Sequence, residues 1–360
     1  MQGKQTQTIA PIAATADSRA IGPADGEVGA CALFVGPHAL RNPVMLAPMS
    51  GVSDLPFRLL AARLGAGLVV SEMVASRELV SERADVVRRA SGEGLACNVI
   101  QLVGCEVRWM AEGARLAQAG GADIIDINMG CPAREVTGRL SGSALMREPE
   151  LALALVEAVV GAVNVPVTLK MRLGWDERSM NAPEIARRAE AAGVRLITVH
   201  ARTRCQFFKG AADWAQVAAV KSAVAIPVIV NGDITGPSEA ARALELSGAD
   251  GVMVGRGAYG APWQPARIAR ALATGYDAGP PPLAEQGRIA VAHVEAMLSH
   301  YGLRVGLKNA RKHVGWYLMS SSQPEAVVKA WRRQLCTEEN GGRVMAGLTQ
   351  FYAEAMERAA

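Results

Sequence analysis

The clearest chemical signal in the chain is a cysteine in a Gly-Cys-Pro turn. Cys131 follows the apolar segment 123–130 and lies between Asn128 and Pro132, where the turn directs its thiol out of a loop rather than into a core. A free thiol has a pKa of about 8.5, so at neutral pH it is mostly protonated and can donate a proton. Inert packing is the ordinary alternative for a cysteine. We expect that alternative for Cys97, Cys105, Cys205 and Cys336.

Polar groups also end other apolar segments. Gln101, Lys170 and His200 each close a run that is otherwise rich in Val, Ile or Leu. A core would not hold these groups without partners, because an unsatisfied buried polar group costs about 1–3 kcal/mol. We therefore expect them to meet at one site. There Lys170 can neutralise an anionic ring such as that of a reduced flavin, and Gln101 can donate to and accept from a pyrimidine-like edge.

Two glycine-containing segments indicate a phosphate site. They contain Asn231, Gly232 and Asp233 in the first segment, and Gly255 and Arg256 in the second. Glycines allow backbone N–H groups to approach a phosphate closely, and Arg256 adds a positive charge. The implied ligand is a phosphorylated cofactor.

The segment 200–214 is both basic and aromatic. It holds His200, Arg202, Arg204, Lys209 and two phenylalanines. That mixture is suited to phosphate contact and base stacking. The alternative is a loop with scattered charge, which we would prefer if the neighbouring segments were not present.

The elements that must position these residues follow a regular rhythm. Near-continuous apolar runs are typical of parallel strands buried on both faces, and segments of helical periodicity that end in glycine separate them. The runs are 43–49, 67–73, 98–104, 123–130, 166–172, 195–202, 227–233 and 250–256. Eight alternations within about 230 residues predict a (β/α)8 TIM barrel over residues 39–275, with a doubly wound open sheet as the rival. In such a barrel the chemistry collects at the C-terminal ends of the strands, and the loops after strands 7 and 8 bind phosphate.

The two ends of the chain lack this rhythm. We predict a mobile N-terminal tail over residues 1–38, and a Gly/Pro linker over 275–286. Helical patterns follow, so we predict a small all-α domain over 284–358. Its segment 303–318 places four cations, Arg304, Lys308, Arg311 and Lys312, on one helical face. From charge alone, this face is either a nucleic-acid surface or an ordinary solvated one.

Composition excludes several classes of protein. Of 360 residues, 50% are hydrophobic and 20% charged, which is too apolar for a disordered chain. The net charge of +4 permits an anionic partner without proving one. Six cysteines without a CxxC pair fit neither a zinc ribbon nor a secreted disulfide framework, so we expect no metal. No segment predicts secretion or a membrane span, and we expect a cytoplasmic protein, monomeric and without a membrane partner.

Six segments resemble the tRNA-dihydrouridine synthases, and most of all their bacterial B-type branch, which includes nitrogen-regulation-operon relatives. The segments are LAPMSGVSDLPFR (46–58), NMGCPAREV (128–136), KMRLGW (170–175), HARTRCQFFKGAADW (200–214), VIVNGDI (228–234) and GVMVGRGAYGAPW (251–263). The resemblance covers about residues 40 to 340 in order. It implies an FMN-binding (β/α)8 barrel followed by a helical tRNA-binding domain.

The resemblance also implies residue roles. Cys131 matches the family's catalytic cysteine. The implied FMN contacts are Ala47, Pro48, Met49, Gln101, Lys170, His200, Asn231, Gly232, Asp233, Gly255 and Arg256. The tRNA contacts that we predict are Asn128, Arg134, Arg202, Arg204, Arg311 and Lys312. Arg134 stands where the family commonly has lysine, and it keeps the charge.

The implied reaction is NADPH-driven reduction of a D-loop uridine. Reduced flavin would give a hydride to C6 of the uracil ring, and the Cys131 thiol would protonate C5. Two alternatives stay open. One is an FMN barrel that acts on a free pyrimidine, against which the helical basic extension argues. The other is an RNA-binding regulator that has lost turnover, against which Cys131, Lys170 and His200 argue.

Overall fold

The computed structural model describes residues 33–138 and 140–359. Most of the predicted tail, residues 1–32, lies outside the described residues. In chain order the strands are β1 (Phe34–Val35), β2 (His38–Ala39), β3 (Val44–Leu46), β4 (Leu68–Val69), β5 (Val74–Ala75), β6 (Val99–Val103), β7 (Ile124–Met129), β8 (Val167–Arg172), β9 (Leu196–His200), β10 (Val228–Asn231) and β11 (Gly251–Val254).

Nine of the described strands form one parallel sheet that closes into a barrel. Their order is β4-β3-β11-β10-β9-β8-β7-β6-β5. β4 and β5 are two halves of the second barrel strand, and between them Val70 bridges to Val99 at the start of β6. The Ser71 amide also donates to the Val99 carbonyl at 3.0 Å, which joins the two edges of the sheet. The predicted (β/α)8 barrel followed by a helical region is confirmed.

The barrel interior changes from apolar to polar along the strands. Side chains two residues apart on a strand face the same side. Val99, Ile124 and Ile229 pack together near the strand starts. The positions two residues later hold Gln101, Asp126 and Asn231, all buried. The sequence therefore fills one end of the barrel with a core and lines the other end with hydrogen-bonding groups.

A short hairpin closes the apolar end of the barrel. β1 pairs antiparallel with β2, and Leu33, Val35 and Leu40 pack on the apolar interior residues. Gly36 turns this hairpin at φ +58°, and a Cβ there would lie 2.5 Å from the Pro166 ring. Residues 33–38 are therefore part of the barrel, not of the tail into which we had placed them.

Helices surround the barrel and continue beyond it. They are α1 (Leu55–Leu64), α2 (Ser76–Val80), α3 (Ala84–Arg89), α4 (Val107–Ala119), α5 (Arg134–Thr137), α6 (Pro149–Val160), α7 (Ala182–Ala191), α8 (Val217–Ala223), α9 (Pro237–Ser247), α10 (Gln264–Thr274), α11 (Leu283–Tyr301), α12 (Leu303–Ser320), α13 (Glu325–Leu335) and α14 (Gly341–Ala359). α1 shows the local signals: Asp54 Oδ1 accepts from the Phe57 amide at 3.1 Å, and Gly65 ends the helix at φ +111°.

The last four described helices, α11 to α14, have a core of their own. Ile289, Tyr317 and Phe351 belong to it, and Leu60 and Trp263 from the barrel side also pack there. The helical region is thus fixed to the barrel through α1 and the segment that precedes α10. Assignment of RNA binding to this region stays a prediction.

Candidate functional site

A cavity of about 790 Å³ opens at the C-terminal ends of the barrel strands. This volume lies within the usual range for small-molecule and cofactor sites. Thirteen predicted site residues line it: Ala47, Pro48, Met49, Gln101, Asn128, Cys131, Lys170, His200, Asn231, Gly232, Asp233, Gly255 and Arg256. Five predicted residues are not in its lining: Arg134, Arg202, Arg204, Arg311 and Lys312.

The Cys131 loop follows β7 and is held by backbone hydrogen bonds. The amides of Gly130 and Cys131 donate to Asn128 Oδ1 at 3.1 and 3.0 Å. The Cys131 carbonyl accepts from the Ser143 hydroxyl at 2.8 Å. Burial raises the pKa of the Cys131 thiol, and the charges of Arg172 and Lys170 only partly oppose this effect. The thiol is therefore neutral at physiological pH and can act as a proton donor.

A chain of buried side chains supports this loop from below. Asn128 Nδ2 donates to Gln101 Oε1 at 2.7 Å, and Gln101 Nε2 donates to Asp126 Oδ2 at 2.7 Å. The Thr168 hydroxyl donates to the other oxygen of Asp126 at 2.6 Å. The side-chain oxygen of Asn128, a residue predicted to contact tRNA, therefore accepts its hydrogen bonds from the Cys131 loop. Its hydrogen bonds define it as a residue that positions Cys131.

Lys170 is a buried cation directed at the strand β10 side of the cavity. Its Nζ donates to Asn231 Oδ1 at 3.2 Å. Burial lowers the pKa of Lys170 to about 8, and the nearby Arg172 acts in the same direction. The lysine is still mostly protonated at pH 7. An anionic group in the cavity would stabilise that charge.

His200 is neutral for electrostatic reasons. Burial lowers the pKa of His200 well below 6.5, and four cations, Arg172, Lys170, Arg202 and Arg256, add to the effect. Arg202 Nη1 lies 3.3 Å from His200 Nε2, and arginine can only donate. The Nε2 atom is therefore the acceptor, and the proton of the neutral ring is on Nδ1.

The loops after β10 and β11 form the proposed phosphate end of the cavity. Gly232 has φ +118°, and a Cβ there would lie 2.9 Å from the His200 ring, so only glycine fits. Asp233 Oδ1 accepts from Arg256 Nη2 at 3.3 Å. Burial favours a higher pKa for Asp233, but its hydrogen bonds from Arg202 and the Ala212 amide lower it overall. Arg256 is half-exposed at the rim and can reach a ligand anion.

The prediction that Arg202 contacts tRNA does not fit the structure. Its side chain is buried and pairs with Asp233. It also donates to the carbonyls of Gly210 at 2.7 Å and Lys209 at 3.2 Å. Its hydrogen-bonding groups hold together the loop after β9, because residues 201–213 form no helix or strand that would satisfy their carbonyls.

The other four cations predicted to bind tRNA differ in position. Arg134 is exposed at the start of α5, three residues after Cys131. Arg204 donates to the Pro132 carbonyl at 3.4 Å. Arg311 is half-buried and donates to the Glu338 carbonyl at 3.4 Å, while Lys312 lines a cleft between the barrel and α11. Arg311 and Lys312 therefore do not share an open face.

Sequence reasoning missed two buried groups. Asp126 underlies the Cys131 loop, as described above. Arg172 donates from Nε to the Gly130 carbonyl at 2.8 Å and from Nη1 to the carbonyls of Thr203 and Phe207, both at 2.9 Å. Asp126 lies two residues from Asn128 in β7, and Arg172 lies two residues from Lys170 in β8. Each missed residue therefore shares a strand face with a predicted site residue. The period of two was the signal that could have found them.

Fold and site together define an enzyme of the α/β-barrel class with its site at the C-terminal mouth. The dihydrouridine synthase family model matches residues 45–356. A probable tRNA-dihydrouridine synthase of Rhodobacter capsulatus is 58% identical over 79% of this chain and 89% of its own length. One of Rickettsia conorii is 48% identical over 90% of this chain and 97% of its own. The chain belongs to the dihydrouridine synthase family.

Further comparisons agree with the branch and the fold. The tRNA-dihydrouridine synthase B of Pseudomonas putida is 43% identical over 90% of this chain and 95% of its own length, which confirms the predicted B-type branch. The solved histamine dehydrogenase of Rhizobium sp. 4-9 has a TM-score of 0.55 at 13% identity. The matched region covers 92% of this chain and 65% of the histamine dehydrogenase chain. This likeness supports the barrel alone.

Membrane-spanning helices and metal-binding clusters are both absent from the described residues. No described helix is long and apolar enough to cross a membrane. Within residues 33–138 and 140–359, no group of three or more His, Cys, Asp or Glu side chains is placed to hold a metal ion.

Proposed function

We propose that this protein is a tRNA-dihydrouridine synthase that uses FMN and NADPH to reduce the C5–C6 bond of a D-loop uridine in cytoplasmic tRNA. The observation that carries the proposal is a neutral thiol and a buried cation in one cavity. Cys131 and Lys170 both line it, in a chain that belongs to the dihydrouridine synthase family. The family membership gives the reaction class, and the cavity supplies residues suited to its steps.

The donor set of the cavity fits FMN. Gly232, which tolerates no side chain, and the half-exposed Arg256 would hold the phosphate. Lys170, whose Nζ donates to Asn231 Oδ1, would face the part of the ring that becomes anionic on reduction. Reduced FMN bound there would supply a hydride for C6 of a uracil ring.

The Cys131 thiol would supply the proton for C5. Hydride addition at C6 builds negative charge toward C5, and a neutral acid nearby lowers that barrier by two to four powers of ten. Asn128 accepts hydrogen bonds from the backbone amides of Gly130 and Cys131, which fixes the part of the loop that carries the thiol. The raised pKa of Cys131 keeps the proton on sulfur until it is needed.

The charge around the cavity favours an anionic ligand. Four cations, Lys170, Arg172, Arg202 and Arg256, lie close enough to His200 to lower its pKa, and Arg202 and Arg256 share the carboxylate of Asp233. This excess of positive charge suits the phosphate and the reduced ring of bound FMN. The choice of tRNA as the substrate rests on the family membership. A target uridine would be drawn out of the folded tRNA into the cavity.

The test compares substrates with the purified flavin-loaded protein and NADPH. We expect dihydrouridine in tRNA that lacks this modification, and no reduction of free uracil, uridine or orotate. Reduction of a free pyrimidine at a comparable rate would favour the alternative function. Flavin binding without reduction of any of these compounds would favour an RNA-binding regulator.

A further inference from the structure

A group of cations lies beside the mouth of the barrel, outside the lining of the main cavity. The guanidinium carbon of Arg147 is 3.9 Å from the centre of the Trp175 ring, and that of Arg204 is 4.8 Å from the same ring. Attraction between a guanidinium and an indole ring stabilises each contact. We call Arg147, Trp175 and Arg204 the Trp175 cluster. Nothing in the sequence analysis assigned a role to Arg147 or Trp175.

Backbone hydrogen bonds attach the Trp175 cluster to the loops of the site. The amide of Arg204 donates to the Gly174 carbonyl and the amide of Cys205 to the Trp175 carbonyl, both at 2.9 Å. Arg204 Nη2 donates to the carbonyl of Pro132, the residue after Cys131. The cluster is thereby fixed beside the Cys131 loop.

Arg147 is connected to the Cys131 loop through a different element. It ends a short 3-10 turn over Gly142–Arg147. In this turn the Ser143 amide and hydroxyl both donate to the Cys131 carbonyl, at 3.0 and 2.8 Å. Both arginines of the cluster therefore have a short connection to the residue that we assign as the proton donor.

The positive charge of the cluster lacks a compensating carboxylate. Among the ion pairs of the described residues, none includes Arg147 or Arg204. Asp176 is next to Trp175 in sequence, but its Oδ1 accepts from the Arg178 amide and the Ser179 hydroxyl, both at 3.0 Å. Two guanidinium groups at one ring repel each other, and an anion bound nearby would reduce that repulsion.

The cluster also presents an accessible guanidinium group. Arg147 is exposed, whereas Arg204 is half-buried and its Nε atom is enclosed by protein. Guanidinium groups match the oxygens of a phosphate through paired N–H donors. Charge, exposure and location agree on a phosphate that binds through Arg147.

We propose that the Trp175 cluster binds a backbone phosphate that flanks the reduced uridine, on the Cys131 side of the barrel mouth. The proposal rests on the proposed function, because it requires an RNA strand at the mouth. A uridine inserted in the cavity keeps its two flanking phosphates at the rim. Arg134, exposed at the start of α5, stands on the same side and extends the positive surface.

The first experiment measures binding of an unmodified tRNA transcript to the full-length flavin-loaded protein at several salt concentrations. The variants are Arg147→Ala and Arg147→Lys, with Arg195→Ala as the matched control. Arg195 is an exposed arginine directly before β9, so it lies at the opposite end of the barrel. We expect Arg147→Ala to raise the Kd about tenfold, the order expected for one charge-assisted hydrogen bond. The slope of log K against log salt should fall by about 0.7–0.9, the value for one phosphate contact.

The remaining variants should separate charge from geometry. We expect Arg147→Lys to restore the salt slope but only part of the affinity, because lysine keeps the charge without the planar stack on Trp175. Arg195→Ala should match the wild-type protein, and flavin content should be equal in all four proteins. If Arg147→Ala has the Kd and salt slope of Arg195→Ala, the proposal is overturned.

A second experiment locates the phosphate. One linkage beside the reduced uridine is replaced by a neutral methylphosphonate in a ligated tRNA. At one of the two flanking linkages, this change should weaken binding to the wild-type protein but not further weaken binding to Arg147→Ala. Independent, additive losses at both linkages would overturn the proposal. A wild-type protein that binds FMN but reduces no tRNA would overturn the proposed function, and this proposal with it.

Discussion

At the residue scale, the proposed chemistry depends on keeping one thiol neutral and one amine charged within the same cavity. Burial moves the pKa values of Cys131 and Lys170 in opposite directions. Burial raises the pKa of the thiol, so it keeps its proton, and lowers the pKa of the lysine to about 8. Near neutral pH the site therefore holds an acid and a cation together.

Replacement of Cys131 by alanine should separate reduction from cofactor binding. We expect Cys131→Ala to retain its flavin, because the Lys170–Asn231 hydrogen bond does not involve the thiol. Reduction of tRNA should fall by two to four powers of ten, which is the range for loss of a general acid. The measurement is single-turnover formation of dihydrouridine. Cys97→Ala, two residues before β6 and outside the cavity lining, is the control and should keep wild-type rates.

Lys170 gives a prediction about pH. The folded protein holds this lysine with a pKa of about 8, so its charge is present below that pH and lost above it. Because bound FMN would raise this pKa, we expect the rate of flavin reduction by NADPH to decline only at a pH above about 8 in the wild-type protein. Lys170→Met should react slowly and show no such step. An unchanged profile in Lys170→Met would show that another group titrates.

Part of the site could be predicted from the sequence at this scale. Gln101, Lys170 and His200 were recognisable because each interrupts an apolar run at a strand end. The ion pair of Arg202 with Asp233 was not recognisable, because it joins two loops 31 positions apart and depends on the fold of the loop between residues 200 and 214. The prediction that Arg311 lies on an open surface failed for a similar reason. Helical spacing predicts which face of α12 carries Arg311, but it does not predict which other segment packs against that face.

At the scale of elements, the loop after β11 and the helical region are in direct contact. The ring of Tyr259, in the loop after β11, stacks on Trp316 of α12 with centroids 4.0 Å apart. The Ser320 hydroxyl donates to the Gly260 carbonyl at 2.6 Å. A Cβ at Gly260 would lie 2.2 Å from the Trp316 carbonyl, so the two backbones are closely packed. Helix α12 therefore supports the loop that we assign to the FMN phosphate.

Removal of this stack should weaken the cofactor. We expect Trp316→Ala to raise the Kd of FMN several-fold, since a stacked aromatic pair is worth about 0.5–1.5 kcal/mol beyond its buried area. Trp316→Phe should restore most of the affinity. The measurement is quenching of FMN fluorescence on binding. Equal FMN affinity in Trp316→Ala and the wild-type protein would show that α12 does not position this loop.

The strands were easier to predict than their ends and interruptions. Parallel strands buried on both faces give continuous apolar runs, and these runs coincide with the barrel strands. The second strand is the exception, because the predicted run 67–73 contains β4 but ends one residue before β5. The two-residue strands β1 and β2 are too short for any periodicity, so the hairpin that closes the barrel could not be distinguished from a tail.

At the scale of the whole molecule, the barrel and the helical region meet around two buried histidines. Phe57 of α1 lies 5.4 Å from the ring of His293 and 5.5 Å from that of His313. His293 Nδ1 is 3.0 Å from the Tyr317 hydroxyl. The Nε2 atoms of both histidines are buried without a partner among the described residues. Both rings are therefore packed in the neutral form.

This interface should make the protein sensitive to acid. Burial lowers the pKa of His293 to about 3 and that of His313 well below 6.5. The unfolded chain takes up these protons below about pH 6.5 and the folded chain does not, so stability is full above that pH and falls as the pH drops. His293 alone should cost about 2 kcal/mol of unfolding free energy by pH 5.

Urea unfolding between pH 7.5 and 5 measures this dependence. His293→Phe should be less stable at pH 7.5, because it leaves the Tyr317 hydroxyl without its partner, but its stability should fall less steeply with acid. Equal slopes in the wild-type protein and His293→Phe would contradict the assignment of the acid sensitivity to this histidine.

The central claim is that Cys131 delivers a proton to C5 of a uridine held in the cavity. The most direct measurement is a single turnover in D2O with reduced protein and unmodified tRNA, followed by mass spectrometry of the nucleosides. We predict dihydrouridine with one solvent deuterium at C5 from the wild-type protein, and at least about a hundredfold slower formation from Cys131→Ala. Labelled dihydrouridine from Cys131→Ala at the wild-type rate would contradict the account.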